Sequence, residues 1–426
     1  MKMRLLMAGA LLSVCAAITW AQQGHPTPIT LPPSSVVNPA EAGVRAFTNV
    51  QILGSGAIRG VPAYYGPPYG GLFYETPASV ACIYGFEAAA PGCDPFAASR
   101  NPNGGSRAIA VVDAYDDPYI YRDLEDFSGQ FGVGAINPTS FMVVYAPPGD
   151  LTQPGVCDGS VPGPEPPYAG TTGWDLEESL DVEWAHAMAP LATLYLVEAQ
   201  SDYFSDLLCA VTVASNLVKQ AGGGEVSMSW GSPEWPEETS LDFLFTTPKV
   251  VYFAAAGDGP GVIYPAASPN IVAVGGTSLR TNATTGAFIA EATWPDTGGG
   301  PSAYEARPSY QSSIASIVGT QRGTPDVAAD GNPFTGVWVL DTLVYGPGTW
   351  WIVGGTSVAT PLWSGVVNAA GRFAVSTRAE LTKMYDDKSG FGKITYGNCG
   401  LYSDDFASEG WNFCRGLGSP SGYSGK

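Results

Sequence analysis

Histidine is nearly absent from this chain, which contains two histidines among 426 residues. His25 lies in a proline-rich stretch near the start, and His186 lies in the segment LDVEWAHAMAP. Histidine is the usual general base because it titrates near neutral pH, but neither position favours a rigid catalytic imidazole. Carboxyl groups are therefore the side chains available to replace histidine as a general base.

Basic residues are also scarce, with 19 Lys and Arg against 39 Asp and Glu and a net charge of −20. Such an acidic chain repels nucleic acid and anionic membranes, so neither is expected as a partner. The acidic composition is consistent with activity at low pH, where carboxyls become protonated and the repulsion between negative charges of the chain decreases. Beyond residue 21, no apolar run is long enough to span a bilayer.

The first 21 residues are typical of a secretory signal. Lys2 and Arg4 precede an apolar stretch that ends in T-W-A, which predicts cleavage after about Ala21. Cys15 lies inside this stretch without a good small residue before it, so a lipoprotein anchor is less favoured. The expected location is secreted or periplasmic.

Removal of the signal leaves six cysteines, an even number that suggests disulfides in an exported protein. Closeness in sequence favours Cys82–Cys93 and Cys399–Cys414, which leaves Cys157–Cys209. The chain has no C-x-x-C spacing, so a zinc site finds no support.

Five apolar runs resemble buried strands, and helical patterns fall between several of them. The runs are Ala108–Asp113, Met142–Tyr145, Leu194–Glu198, Val250–Ala255 and Ile271–Gly276. This alternation predicts an α/β fold with a mostly parallel sheet and helices on both faces. Catalytic groups on such sheets gather at the carboxyl ends of the strands.

The stretch V-G-G-T-S-V-A-T-P at Val353–Pro361 places Ser357 after two glycines and before a helical run. The glycines allow a sharp turn, and the helix N-terminus favours developing negative charge. Pro361 falls early enough in the helix to be tolerated. The motif therefore predicts a nucleophilic serine, although an ordinary helix N-cap explains G-G-T-S equally well.

Two carboxyls lie four residues apart in the segment W-D-L-E-E-S-L-D-V-E-W-A-H-A-M-A-P. Apolar residues recur there every four positions until Pro190, so Glu177 and Asp181 lie one turn apart on one helix face. Out of water, such a pair cannot easily ionise twice, and one carboxyl keeps its proton. The alternative is a solvated acidic face, since Glu178 and Glu183 are also present.

Asp258 follows the strand-like run V-V-Y-F in the segment A-A-A-G-D-G-P. A turn-former is the commoner use of G-D-G. A protonated Asp258 would instead donate a hydrogen bond and stabilise an oxyanion.

In their order along the chain and in their residues, these segments resemble the sedolisins, the serine-carboxyl peptidases. The resemblance extends from about Tyr74 to Tyr423. Further matches are E-T-P-A-S-V-A-C-I-Y-G-F, A-I-A-V-V-D-A-Y-D-D-P, S-M-S-W-G, R-P-S-Y-Q, T-P-D-V-A-A-D-G-N-P and C-R-G-L-G-S-P. The resemblance implies a subtilisin-like fold. It divides the chain into a signal peptide (1–21), a Pro/Gly-rich segment (22–73) and a peptidase domain (74–426).

The resemblance also implies roles. Ser357 would be the nucleophile, Glu177 the general base, Asp181 its proton-sharing partner and Asp258 the oxyanion contact. The expected reaction is acyl transfer followed by hydrolysis of protein or peptide substrates at about pH 3–5, by a monomer. Endopeptidase and tripeptidyl-peptidase action both stay open.

Two features depart from the family pattern. The family carries a calcium site, but Lys393 and Asn412 stand where ligand aspartates belong, and only Ile394 and Gly410 match. Calcium needs several charged oxygen ligands, so we expect the site to be lost and no cofactor to be required. A Lys393 ammonium in the cation's place is one hypothesis, and calcium binding through Asp404 or Asp405 would contradict it. Residues 22–73 are also too short for the family's folded propeptide.

Two other functions compete with the peptidase. A binding protein on the same fold would tolerate loss of Ser357, Glu177 or Asp258, yet all three are present. A glycosidase also uses paired carboxylates, together with aromatic platforms, and the chain has 11 Trp and 21 Tyr. That alternative leaves the G-G-T-S-V-A-T-P element unexplained, and glycosidase carboxyls lie about 5 Å or more apart across a sugar.

Overall fold

A computed structural model describes residues 28–54, 56–60, 62–63, 65–87, 91–150, 157, 163–400 and 409–426. The predicted signal peptide Met1–Ala21, His25, Asp404 and Asp405 lie outside the described residues.

The described residues form helices and strands in alternation. The helices are α1 Pro77–Ile83, α2 Ile120–Phe131, α3 Trp174–Met188, α4 Phe204–Gln220, α5 Ala315–Val318, α6 Thr356–Ala370 and α7 Thr377–Asp386. The strands are β1 Ile29–Thr30, β2 Phe47–Thr48, β3 Gln51–Leu53, β4 Ile58–Arg59, β5 Ala108–Ala114, β6 Phe141–Tyr145, β7 Thr193–Ala199, β8 Gly224–Met228, β9 Trp230–Pro233, β10 Val250–Ala255, β11 Ile263–Tyr264, β12 Val272–Thr281, β13 Phe288–Thr293, β14 Gly300–Ala306, β15 Gln321–Thr324, β16 Val327–Asp330, β17 Val337–Leu340 and β18 Thr349–Gly354.

The central sheet has the strand order β6-β7-β5-β8-β10-β12, and all of these neighbours are parallel. Strand β16 adds to β12 in parallel, and β13 adds to it in the antiparallel direction. The predicted α/β fold with a mostly parallel sheet is therefore confirmed, and each of the five apolar runs forms one of its strands.

The central strands are apolar along their whole length because helices cover both faces of the sheet. Every residue of β5 and β10 is buried, which is the pattern of a parallel strand covered on both faces. Helix α4 packs on one face, against β5, β7 and β8, while α3 and α6 pack together on the other.

The residues before the predicted peptidase domain also form strands of the fold. Strand β3 pairs antiparallel with β18, which leads directly into α6, and β2 pairs antiparallel with β9. Strands β1, β3, β18, β17 and β4 make up a second sheet. Asn49, between β2 and β3, therefore lies against the start of the helix that carries Ser357.

The three predicted disulfides are present, joining Cys82 to Cys93, Cys157 to Cys209 and Cys399 to Cys414. None of the helices built by the described residues has both the length and the apolar character that crossing a membrane requires.

Candidate active site

Ser357 is the second residue of α6, and the glycine pair brings it there. Gly355 has φ 113°, a left-handed conformation that favours glycine. It is the N-cap residue of α6, whose start has no side-chain cap. Ser357 is therefore not the N-cap, which removes that alternative. Pro361 is accommodated inside the helix, as expected.

Glu177 and Asp181 lie on α3, a helix whose 15 residues are all buried. The burial extends to Glu178 and Glu183, so the alternative of a solvated acidic face is wrong. The reason is packing, because α2, α6 and strands β5 and β17 surround the helix. Its charged residues therefore lie inside the protein.

A hydrogen-bonded path joins Ser357 to Asp181 through Ser229. The Ser357 hydroxyl donates to the Ser229 carbonyl at 3.1 Å, and the Ser229 hydroxyl donates to Asp181 Oδ1 at 2.8 Å. Both Glu177 oxygens are buried without a hydrogen bond of ordinary geometry within the described part of the chain. The nearby hydroxyls of Ser357 and Thr48 nevertheless favour its ionised form. The serine hydroxyl thus lies among carboxyl groups, and the one described histidine, His186, is not among its partners.

Burial raises the pKa of Glu177 and of Asp181 well above the usual range. The negative charge of Asp113 raises the pKa of both carboxyls further, and the negative charge of Glu177 also raises the pKa of Asp181. Burial also raises the pKa of Asp113 to about 8. Repulsion among these three buried carboxyls opposes ionisation of all of them at once.

Asp258 follows β10 and lies against the start of α6. Its Oδ1 accepts hydrogen bonds from the Thr356 N–H at 2.7 Å and from the Thr356 hydroxyl at 2.9 Å. Its Oδ2 is buried and has no partner among the residues described. Burial raises the pKa of Asp258 to about 8, so below that pH the carboxyl keeps a proton and can donate it in a hydrogen bond.

The structure therefore brings together all four residues predicted from the sequence. It adds Asp113, Ser229 and Asn49, whose backbone N–H lies 3.1 Å from Ser357 Oγ. An aspartate at the carboxyl end of a buried strand was a sequence signal for Asp113. Asn49 had no such signal, because 308 residues separate it from Ser357.

His186 has no part in this site. It is buried on α3, and its Nε2 lies 2.6 Å from the Gly134 carbonyl. Burial lowers its pKa. It is a helix residue that packs in the interior, as the sequence allowed.

The described C-terminal residues do not fit a calcium ion. Lys393 is exposed, and Asn412 Oδ1 accepts a hydrogen bond from the Cys414 N–H at 3.1 Å. The Arg415 guanidinium donates to the carbonyls of Gly410 and Leu417. These are the kind of oxygens that calcium uses, and the guanidinium charge repels a cation. The cationic group that contacts carbonyls here is the Arg415 guanidinium. The hypothesis placed the Lys393 ammonium in that position and did not anticipate Arg415.

Asp117, Asp123 and Asp341 form a separate group of buried carboxyls. One oxygen from each lies within 4.8 Å of the others, close enough to share a metal ion. Backbone N–H groups already engage all three: those of Tyr119, Thr342 and Leu343, respectively. The group is compatible with a metal, but its geometry does not require one.

The fold and the site together define a class: an α/β protein with a subtilisin-like sheet and a buried serine among carboxyl groups. No family model matches the chain. Kumamolisin from Bacillus sp. (strain MN-32) is 31% identical over 329 residues, which cover 68% of this chain and 57% of kumamolisin. Sedolisin from Pseudomonas sp. (strain 101) is 26% identical over 367 residues, covering 76% of this chain and 57% of sedolisin.

Among solved structures, Pseudomonas sedolisin (serine-carboxyl proteinase) complexed with two molecules of pseudo-iodotyrostatin matches with a TM-score of 0.60. The match has 23% identity and covers 82% of this chain and 96% of that one, and it supports the fold. The chain belongs to the sedolisin family. It spans 57% of the length of each of the two relatives, kumamolisin and sedolisin.

Proposed function

We propose that this chain is a secreted serine-carboxyl peptidase that hydrolyses peptide bonds at acid pH. The observation that carries the proposal is the surroundings of Ser357. Its hydroxyl lies near Glu177 and is linked to Asp181 through Ser229, and the preceding residue, Thr356, bonds to Asp258. Kumamolisin and sedolisin, both named above as relatives, belong to a family of serine peptidases.

Each residue has one role in the proposed reaction. Ser357 Oγ attacks the scissile carbonyl and gives its proton to Glu177, which shares protons with Asp181. Asp181 orients Glu177 and is itself held by the Ser229 hydroxyl. The protonated Asp258 and the Ser357 N–H donate to the oxyanion. Water then hydrolyses the acyl-enzyme.

Burial sets the pH range of this reaction. It raises the pKa of Glu177, so the base works at a higher pH than a free glutamate, whose pKa is about 4.3. Asp258 must keep its proton, and its pKa is about 8. Activity should therefore rise as the pH increases through the raised pKa of Glu177, where the base becomes ionised, and disappear as the pH rises through about 8.

The test is hydrolysis of denatured protein from pH 3 to pH 8 by wild type, Ser357→Ala and Ser364→Ala. Ser364 is a matched control because it is a buried serine on the same helix, and its hydroxyl donates to the Pro361 carbonyl within that helix. We expect Ser357→Ala to abolish hydrolysis and Ser364→Ala to retain it. Folded wild type that shows no hydrolysis at any pH, after incubation in acid, would favour a silent binding protein instead.

The remaining expectations are tested separately. Amino-terminal sequencing of the exported protein checks the signal peptide, and light scattering checks the monomer. Peptides with blocked and free amino termini distinguish endopeptidase from tripeptidyl-peptidase action, because only the latter needs a free terminus.

A further inference from the structure

Three buried carboxyls outside the proposed catalytic groups meet between α2 and β17. Asp117 lies in the turn between β5 and α2, Asp123 lies in the first turn of α2, and Asp341 directly follows β17. Each of the three residues is at most 2% exposed, and one oxygen from each lies within 4.8 Å of the others. Two oxygens that bind one calcium ion, each at about 2.3–2.6 Å, lie up to about 5 Å apart, so a single ion can contact all three carboxyls.

Backbone donors use only part of the hydrogen-bonding capacity of this group. The Thr342 N–H and hydroxyl donate to Asp123, each at 2.8 Å, which fixes that carboxyl in place. The Tyr119 N–H donates to Asp117 Oδ1 at 2.8 Å. Asp117 Oδ2, by contrast, is buried and has no partner among the described residues. A buried carboxyl oxygen without a partner is costly, so Asp117 Oδ2 indicates a ligand other than a protein donor.

A fourth buried carboxyl, Asp175, points to a cation independently of the first three. It is the second residue of α3, it is 2% exposed, and its Oδ1 also lacks a partner in the part of the chain that is described. Burial, followed by the charge of Asp175, raises the pKa of Asp341. Burial raises the pKa of Asp117 to about 7, and the charges of Asp123 and Asp175 contribute to this increase. The Asp175 carboxyl therefore adds its negative charge to the group.

No basic side chain forms an ion pair with any of these four carboxyls within the described residues. The ion pairs there involve other acids, and Arg122, the nearest basic residue in sequence to Asp123, pairs with Asp126 at the exposed side of α2. Buried negative charge without a counter-charge is unfavourable unless the carboxyls take up protons or coordinate a metal. Three oxygens within reach of one ion provide the geometry for coordination.

From this geometry we propose that Asp117, Asp123 and Asp341 bind one divalent cation, with calcium as the ion that fits. Calcium takes oxygen ligands in flexible arrangements, and water can complete its coordination. The site is separate from the C-terminal residues Lys393 and Asn412, which do not fit calcium. The inference does not depend on the proposed function.

An ion at this site would join two elements that pack against the helix of the proposed base. Helix α2 and strand β17 pack against each other, and both pack against α3, which carries Glu177 and Asp181. The end of β17 is already tied to α3, because Glu183 Oε2 accepts from the Leu340 N–H at 3.1 Å. A cation shared by α2 and the end of β17 would therefore hold both elements against α3, and it would stabilise the folded chain to which it binds.

The first experiment is calorimetric titration of chelator-treated protein with calcium at neutral pH, together with thermal unfolding. We expect wild type to bind one ion, and its melting temperature should rise by about 3 °C at a calcium concentration about 100 times Kd. Asp123→Asn removes one ligand charge but keeps an oxygen for Thr342, and it should lower the calcium affinity at least about tenfold. Asp126→Asn is the control, because it removes the same charge from the exposed side of the same helix. It should bind calcium like wild type.

A second variant tests the site from another element. Asp341→Asn keeps an acceptor for the Leu343 N–H, which lies 3.0 Å from Asp341 Oδ1. It should lose calcium affinity to a similar extent as Asp123→Asn. Thermal unfolding without calcium shows that each variant is folded, so either variant suffices if the other does not fold.

Terbium locates the ion, because it binds oxygen ligands as calcium does and emits light when a nearby tryptophan is excited. Trp351 Nε1 donates to the Asp341 carbonyl at 3.3 Å, so Trp351→Phe should reduce the terbium emission. Trp411 instead adjoins Asn412 in the C-terminal region. Trp411→Phe should therefore leave the emission unchanged.

The outcomes are distinct. Folded wild type that binds no calcium at neutral pH overturns the inference. Equal affinity of wild type, Asp123→Asn and Asp341→Asn also overturns it, because the ion then lies elsewhere. In that case, loss of binding in a variant that combines Asp404→Asn with Asp405→Asn would assign the ion to the C-terminal region. None of these measurements uses peptidase activity, so failure of this inference leaves the proposed function standing.

Discussion

The Ser229 hydroxyl donates a hydrogen bond of 2.8 Å to Asp181 Oδ1. The carbonyl of the same serine accepts from Ser357 Oγ at 3.1 Å. One residue between β8 and β9 therefore contacts both Ser357, the proposed nucleophile, and Asp181, the proposed partner of the base. The position of Ser229 therefore makes the turn after β8 part of the candidate active site.

We expect Ser229→Ala to lower kcat about tenfold, in line with the loss of one hydrogen bond. The Ser229 bond lowers the pKa of Asp181, so without it that pKa rises further and the limb of the pH profile that reports the Glu177–Asp181 pair moves to higher pH. Ser227→Ala is the control, because Ser227 is buried two positions earlier and its hydroxyl has no partner among the described residues. An equal shift of the profile in both variants would contradict the role of Ser229.

Asp258 offers a test of the oxyanion contact in two variants. Asp258→Ala removes the donor and should lower kcat by about 10²- to 10³-fold. Asp258→Asn keeps an acceptor for Thr356 and places a neutral amide where the protonated carboxyl lies. It should retain more activity than the alanine variant and lose less of it above pH 8, since an amide does not titrate. Equal activity of wild type and Asp258→Ala would remove Asp258 from the mechanism.

The stability of the protein should fall as the pH rises, and Glu178 tests the cause. It is 0% exposed, and neither of its oxygens has a partner in the described structure. Burial, followed by the charge of Glu198, raises its pKa well above the usual range. A carboxyl with a raised folded-state pKa stabilises fully below its unfolded pKa, and that contribution is lost as the pH rises through the folded pKa.

Glu178→Gln cannot ionise, so its melting temperature relative to wild type should rise between pH 4 and pH 8, by about 2 °C or more. Glu125→Gln is the control, because Glu125 is exposed on α2. The measurement is thermal unfolding of all three proteins at both pH values. A constant difference between Glu178→Gln and wild type would show that Glu178 is not the group that titrates.

Arg322 and Asp326 form a buried ion pair that supports β12. The Arg322 Nη2 atom lies 2.5 Å from Asp326 Oδ2, both side chains are 0% exposed, and Asp326 also accepts from the Ala273 N–H at 2.9 Å. Asp326→Asn leaves a buried guanidinium without its counter-charge, which should cost about 3–5 kcal/mol of unfolding free energy.

The exposed pair of Arg122 and Asp126 is the matched comparison. Asp126→Asn should change the unfolding free energy by less than about 1 kcal/mol. Denaturant unfolding of both variants measures the two costs. Similar values for the buried and exposed pairs would contradict the burial argument.

Helix α3, which carries Glu177 and Asp181, shows how much of the site could be predicted from the sequence. The four-residue period predicted the helix and placed both carboxyls on one face, and α3 ends at Met188, two residues before Pro190. Burial of that face was not predictable from the helix alone. A charged helix normally lies at the surface, and only the elements packed around α3 decide otherwise.

Asn49 and Ser229 are residues of the site that the sequence could not predict. The residues around Asn49 show no pattern that indicates a contact with Ser357, and Ser229 stands out only as part of the family match S-M-S-W-G. Both reach the Ser357 hydroxyl through backbone atoms, which any residue type can supply. Such contacts depend on which strands become neighbours in the fold.

The sequence by itself determined the alternation of strands and helices, the disulfide partners and the types of side chain available for chemistry, because these follow from local periodicity, spacing and composition. The tertiary structure alone decided the burial of the acid cluster and the contacts of Asn49 and Ser229 with Ser357. Both depend on burial and on contacts between residues distant in sequence. Those contacts arise when the chain packs, and local patterns do not encode them.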